Sequence, residues 1–285
     1  MQSSTKDFLL ALVCVILAMI TIQSGASFAK QLFPVVGPEG TTALRLGFSA
    51  LILCLIFKPW KHLPAKGNRL SIVVYGLSLG GMNILFYYAI ERIPLGIGVA
   101  LEFTGPLAVA LFSSRAKRDL FWVACAITGI LLLLPDMSSQ ESLDPIGVIL
   151  ALGAGACWAA YILFGKKTGT QSSGGATVAL GMTVAAIVLV PYGGILQSSA
   201  FTWSVIPLGI GIAILSSALP YTLEMLALRN MPAQGFSIML SLEPAFAALA
   251  GFIILGELLT LWQWLAILLV IIASVGSSFS SVKKQ

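Results

Sequence analysis

Charge is what this chain has least of: Asp, Glu, Lys and Arg together make up 9% of 285 residues, against roughly a quarter in soluble domains. Histidine is nearly missing too, with His62 alone. The four cysteines, Cys14, Cys54, Cys125 and Cys157, stand singly inside apolar runs with no C-x-x-C spacing. These absences exclude zinc, haem and disulfide frameworks, and no cofactor or metal is expected. H-E-x-x-H does not occur, and the one G-x-S-x-G match, Gly76 to Gly80, lies inside an apolar run of a chain with a single histidine, so no catalytic constellation is expected. Gly165-Lys166-Lys167-Thr168 lacks the upstream glycine and the Ser/Thr directly after its first lysine that a phosphate-binding loop needs. An ATP-driven pump is therefore unsupported. The cationic excess, 16 Lys+Arg against 11 Asp+Glu, forms no stripe or arm, which argues against nucleic acid as a partner.

What is there is apolar. Hydrophobic residues are 58% of the chain and the mean hydropathy is +0.98, so the lipid bilayer is its main solvent. A bilayer core takes about 20 apolar residues per helix. Ten stretches qualify: Phe8 to Ala29, Thr41 to Phe57, Leu70 to Ile90, Leu95 to Phe112, Leu120 to Leu134, Pro145 to Phe164, Thr177 to Leu196, Ser204 to Leu228, Phe236 to Leu255 and Leu261 to Phe279. The fifth is the shortest and has room to extend through Pro135. Their continuous apolarity, without period-two alternation, predicts helices rather than a barrel. The first stretch exceeds a signal-peptide core of about 7 to 15 residues and reads as a span.

Lys and Arg accumulate in alternate loops, as retention of cations on the cytoplasmic side requires. Lys6, Lys58, Lys61, Lys66, Arg69, Arg115, Lys117, Arg118, Lys166, Lys167, Arg229, Lys283 and Lys284 share one side, and only Lys30, Arg45 and Arg92 the other. The expectation is a multi-pass protein of the bacterial inner membrane with both termini cytoplasmic. The run from Thr41 to Leu53 aligns without gaps on Thr177 to Leu189, and a two-residue shift then matches Pro94 with Pro232 and Pro106 with Pro244. Each half holds five spans, an odd number, so the halves cross the bilayer in opposite senses. The expected fold is all-α, with about ten transmembrane helices in two inverted five-helix repeats, residues 1–138 and 139–285. Two such halves exchanging conformations give alternating access to one midplane site, the arrangement of secondary transporters. The four-residue spacings Gly147, Ala151, Gly155, Ala159 and Gly76, Gly80 are read as helix-packing seams.

Ionisable groups inside the hydrocarbon are costly and mark functional positions. Glu102 lies about eight residues past Pro94 and Glu243 about eight past Gly235, near mid-depth in the fourth and ninth spans at ~1.5 Å per residue. Burial favours a neutral carboxyl, and one that exchanges its proton for a substrate ammonium would couple antiport. Pro106 and Pro244 each free a backbone carbonyl close by. Glu224 follows Pro220 and precedes Arg229, so a site role and a pairing with Arg229 are both open. Arg45 has two readings as well, a carboxylate ligand or a side chain snorkelling outward toward Glu39. Asn83 and Tyr87 share an i, i+4 face, and Gln23, Tyr88, Trp158, Tyr161 and Tyr221 complete the set of intramembrane polar or amphipathic groups.

Four segments carry a resemblance: Leu101 to Arg115, Ser78 to Asn83, Ala151 to Trp158, and Ala213 to Tyr221 with Glu224-Met225. The chain resembles, over nearly its whole length, the amino-acid exporters of the EamA branch of the drug/metabolite transporter superfamily. The resemblance implies ten helices in a five-plus-five inverted repeat, and export of L-threonine and L-homoserine driven by the proton gradient. Substrate-binding or proton-coupling roles are expected among Glu102, Glu243, Asn83, Tyr87, Trp158, Tyr221, Glu224 and Arg45. The alternatives are an EamA-type exporter of another small metabolite or drug, a channel, or a non-transport membrane scaffold.

Overall fold

A computed structural model describes residues 5–61, 69–112, 119–133, 143–169, 174–197, 202–230, 236 and 239–282. His62, Pro135, Pro232, Gly235, the division at 138/139 and the cations at positions 66, 115, 117, 118, 283 and 284 lie outside them. The described residues form helices and short connections without a strand. We number the helices α1 (Thr5–Phe57), α2 (Arg69–Arg92), α3 (Leu95–Glu102), α4 (Thr104–Phe112), α5 (Asp119–Leu133), α6 (Pro145–Gly169), α7 (Gly174–Leu196), α8 (Val205–Ala213), α9 (Leu219–Asn230), α10 (Glu243–Ala250) and α11 (Leu261–Val282). Among the described residues five helical stretches are long and apolar enough to cross a bilayer, and shorter apolar helices cover Leu95–Val109, Glu243–Leu255 and Leu261–Gly276. This is a multi-pass membrane protein.

The longest stretch, Leu9–Phe57, has 49 residues, enough for two crossings at about 20 each. In place of the expected loop between Ala29 and Thr41, helix continues on both sides of one residue, Gly37, which has φ 66 and ψ 168. A positive φ of this kind suits a residue without Cβ, and a Cβ here would meet Gln197 Nε2 at 2.9 Å. Pro38, lacking an N–H, opens the second limb at little cost.

The expected fourth span, Leu95 to Phe112, stays in helical backbone but is interrupted locally at one residue. α3 ends at Glu102, Phe103 turns with φ −65 and ψ −15, and α4 begins at Thr104. Pro106 supplies no N–H for the Glu102 carbonyl, so the ladder has a gap there. The ninth span breaks in the corresponding place, with a turn at 241–242 before Glu243 and Pro244 open α10. The eighth carries a π-helical turn, Ile214–Ala218, a distortion that recurs at functional sites. A second π turn, Gly251–Leu255, ends at left-handed Gly256, φ 69.

Packing follows the small residues. The second limb of α1 lies along α7, where Leu46, Ala50 and Leu53 meet Ala179, Met182 and Ala185. The first limb lies along α9, where Ala11, Cys14 and Met19 join Ala227. α2 packs on α6, α3 on α10, α5 on α11, α4 on α6 and α1 on α10. Gly76 faces Val184 and the Gly181 carbonyl, and Gly147 faces Ile93. Gly105 and Gly155 meet backbone to backbone, because a Cβ on Gly105 would strike the Gly155 carbonyl. Large aliphatics such as Ile149, Ile187 and Ile253 point outward, as lipid-facing side chains do.

One end of the bundle is tied by polar contacts. Lys30 Nζ sits 2.6 Å from Glu257 Oε1 and donates to the Ile93 carbonyl at 3.1 Å, while the Leu95 N–H donates to Glu257 Oε2 at 2.7 Å. Gln197 Nε2 donates to Glu39 Oε1 at 2.6 Å. Arg92 pairs with Asp144 at 3.0 Å, and that hydrogen bond, ahead of one from the Ile146 N–H, holds the Asp144 carboxyl below its ordinary range. At the opposite end the Phe57 ring closes over Gly175.

Candidate functional site

Where the two interrupted spans approach α1, α2, α6 and the π turn, the helices leave a cavity of about 230 Å³. Arg45, Asn83, Glu102, Trp158, Tyr221, Glu224 and Glu243 all line it, with Gln23, Tyr161 and Ser216. Glu102 is the last residue of α3 and Glu243 the first of α10, so each interruption sits beside a carboxyl that lines the cavity.

Arg45 points into the bundle rather than toward Glu39. Its Nη1 donates to the Tyr87 hydroxyl at 3.1 Å and its Nη2 to the Ser216 carbonyl at 3.2 Å. The guanidinium also lies over the Tyr87 ring, 5.4 Å from its centroid. The π turn is what presents that carbonyl. Nε of Arg45 is buried without a partner, which leaves one charged N–H unused.

Tyr87 is fully buried and does not line the cavity; it orients Arg45 from behind and packs against Phe33 with ring centroids 5.4 Å apart. The Asn83 amide donates to its own helix at Leu79 O, 2.8 Å. The shared face of Asn83 and Tyr87 thus divides into a wall residue and a support. Trp158 stands edge-on to Phe103, centroids 5.3 Å apart, and Tyr161 stacks on Tyr75 at 4.6 Å, so both aromatic walls are braced from outside.

The sequence model of the family described as "EamA-like transporter family" matches residues 9–134 and again 145–279. The chain belongs to the EamA-like transporter family. This EamA-like protein is 53% identical over 277 residues to the threonine/homoserine exporter RhtA of Escherichia coli strain K12, covering 97% of this chain and 93% of the relative. It is 53% identical over 272 residues to the exporter of the same name from Salmonella typhimurium strain LT2, covering 95% and 92%. An uncharacterized transporter of Bacillus subtilis strain 168, YwfM, is 28% identical over 266 residues, covering 87% and 88%. A crystal structure only 16% identical superimposes with a TM-score of 0.60 over 97% of this chain and 98% of that one, so the two share a fold. The EamA-like protein is a transporter, not an enzyme.

Two parts of the site in this EamA-like transporter escaped sequence reasoning. Gln23 stood out as an intramembrane polar residue, but its bond from Nε2 to Glu243 Oε1, 3.2 Å, joins residues too far apart in sequence for any motif. Ser216 carried no signal beyond a pair of serines in an apolar run. It became visible through the π turn and through the approach of Gly25, where a Cβ would collide with the Ser216 hydroxyl.

Proposed function

We propose that this protein is an inner-membrane secondary exporter of small amino acids, L-threonine and L-homoserine, working by exchange for protons. The observation that carries the reading is one cavity holding Arg45 together with Glu102, Glu224 and Glu243. A zwitterionic amino acid presents a carboxylate for the guanidinium and an ammonium for the carboxyls, each in a charge-assisted contact. The volume, about 230 Å³, falls below the ~300–1,000 Å³ of drug-sized pockets. That favours a small amino acid over a drug, and it agrees with the substrates in the relatives' names.

Three carboxylates against one guanidinium would leave two negative charges in the empty cavity, a state that a membrane interior does not sustain. Protons neutralise it when substrate is absent, and the single ammonium takes the place of one of them at a carboxyl when substrate binds. Exchange of the two is antiport. In this reading Glu102 is the coupling carboxyl, with Glu243 and Glu224 beside it, Arg45 set by Tyr87, and Trp158, Tyr221 and Asn83 as walls.

Ten spans in two inverted halves, 1–138 and 139–285, complete the proposal, with both termini in the cytoplasm. Three observations support it. The family's sequence model matches the chain twice. The packing survives exchange of the halves: α2 on α6 has its counterpart in α9 on the first limb of α1, and α4 on α6 in α10 on α1. The contacts of Lys30, Arg92, Gln197 and Glu257 share an end that the cation count makes periplasmic.

The test is uptake of labelled threonine into inside-out vesicles under an imposed pH gradient, with counterflow against unlabelled competitors. Uptake that collapses with an uncoupler and is competed by homoserine is the expected result. Uptake indifferent to uncoupler would replace antiport with facilitated diffusion, and none from protein in the membrane would overturn the substrate assignment.

A further inference from the structure

Three residues that line the cavity each carry a buried polar atom without a hydrogen-bond partner among the described residues: Gln23 Oε1, Arg45 Nε and Ser216 Oγ. Buried polar groups are nearly always paired, and an orphan implies a partner still to come. Two of the three have evident complements in any amino acid, its ammonium for Gln23 Oε1 and its carboxylate for Arg45 Nε. The hydroxyl of Ser216 matches neither charge in particular. It is a donor and an acceptor at once, the complement of another hydroxyl.

Its place in the fold is fixed from two sides. The Ser216 carbonyl accepts from Arg45 Nη2 at 3.2 Å, so the hydroxyl belongs to the same residue that anchors the carboxylate-binding guanidinium. Gly25 leaves the space that the hydroxyl occupies, because a Cβ there would overlap Ser216 Oγ and stand 3.1 Å from the Ser216 N. The π turn Ile214–Ala218 sets this register. Ser217, the next residue, is equally buried and also has an unpaired hydroxyl, but does not line the cavity.

Resting on the proposed export of small amino acids, we infer that Ser216 is a specificity-determining residue whose hydroxyl reads the side-chain hydroxyl of the substrate. A substrate carboxylate held at Arg45 brings the hydroxyl of threonine or homoserine within reach of Ser216. An analogue lacking it leaves a buried polar group unpaired, the situation in which a site discriminates strongly. Ser216 therefore favours hydroxylated over purely aliphatic amino acids of the same size.

The experiment is counterflow of labelled L-threonine in proteoliposomes, with unlabelled L-threonine, L-homoserine or L-2-aminobutyrate as competitor. In the unaltered protein both hydroxylated competitors should outcompete L-2-aminobutyrate. Ser216→Ala should reduce that preference about ten-fold, the worth of one hydrogen bond, and Ser217→Ala should leave it unchanged. Ser216→Cys, which keeps the volume with a weak donor, supplies the same comparison if the alanine variant is poorly inserted. An unchanged competitor ratio in both Ser216 variants overturns the inference, as does an equal loss in Ser217→Ala. Failure of the unaltered protein to exchange threonine at all would instead remove the export reading on which it rests.

Discussion

Gln23 Nε2 donates to Glu243 Oε1 at 3.2 Å across 220 residues of sequence, so the first limb of α1 holds the carboxyl that opens α10. Glu102, at the end of α3, has no hydrogen-bond partner among the described residues. The two glutamates are thus alike in position and unlike in freedom. A carboxyl that must take up and release a proton in each cycle is better left unbonded, and under the proposed proton exchange this difference favours Glu102 as the coupling carboxyl.

Glu102→Gln should insert at normal levels and lose pH-gradient-driven threonine uptake into inside-out vesicles by about ten-fold or more, at least ~1.4 kcal/mol of coupling. The amide keeps the size but neither titrates nor balances an ammonium. Glu243→Gln should retain the pH dependence while weakening the contact to Gln23. Wild-type pH dependence in the first variant would reduce Glu102 to a structural residue, and selective loss in the second would move coupling to α10.

Arg45→Lys should raise the apparent KM for threonine about ten-fold. A lysine supplies the charge without the planar fork that spans Tyr87, Ser216 and the cavity. Tyr87→Phe removes one buried bond, worth about 0.5–1.5 kcal/mol, and should raise KM by less while leaving maximal exchange intact. Equal KM values in all three proteins would exclude the guanidinium as a substrate ligand.

The polar end of the bundle separates a structural contact from a decorative one. Glu257 accepts from Lys30 and from the Leu95 N–H, so Glu257→Ala should cost about 1–3 kcal/mol and lower the detergent melting temperature. The Arg92–Asp144 pair is solvent-exposed, and Arg92→Ala should move stability little. Asp144 is held below its ordinary range by Arg92. Whatever stability the pair adds is therefore present above the unfolded Asp pKa and lost as pH falls through the depressed one. A carboxyl-carbon NMR titration should show Asp144 moving upward in Arg92→Ala.

Topology is open to thiol labelling in a background without Cys14, Cys54, Cys125 and Cys157. Cysteines replacing Trp203 or Leu258, 89% and 80% exposed, should react with an impermeant reagent from the periplasm, and one replacing Trp60 should not. Gly37 is a poor labelling position because its φ of 66 resists any side chain. Reversal of the pattern would invert the orientation drawn from the cations.

The sequence by itself determined the solvent, the helical class, the apolar stretches and the rank of the intramembrane polar residues, because a carboxylate or guanidinium in hydrocarbon is conspicuous wherever it occurs. It did not determine which way those residues face. In water a helix advertises its buried side by periodic polarity, but lipid and protein interior are equally apolar, so no such stripe is written. Whether Arg45 turned out toward Glu39 or in toward Tyr87 was decided only by the packing of α1 on α2 and the π turn. Only the tertiary structure, again, placed Tyr87 behind Arg45 and joined Gln23 to Glu243, since each depends on contacts between helices remote in sequence. Gly105 against Gly155 makes the same point: either glycine alone is one small residue among many, and their backbone contact gives both a reason to be there.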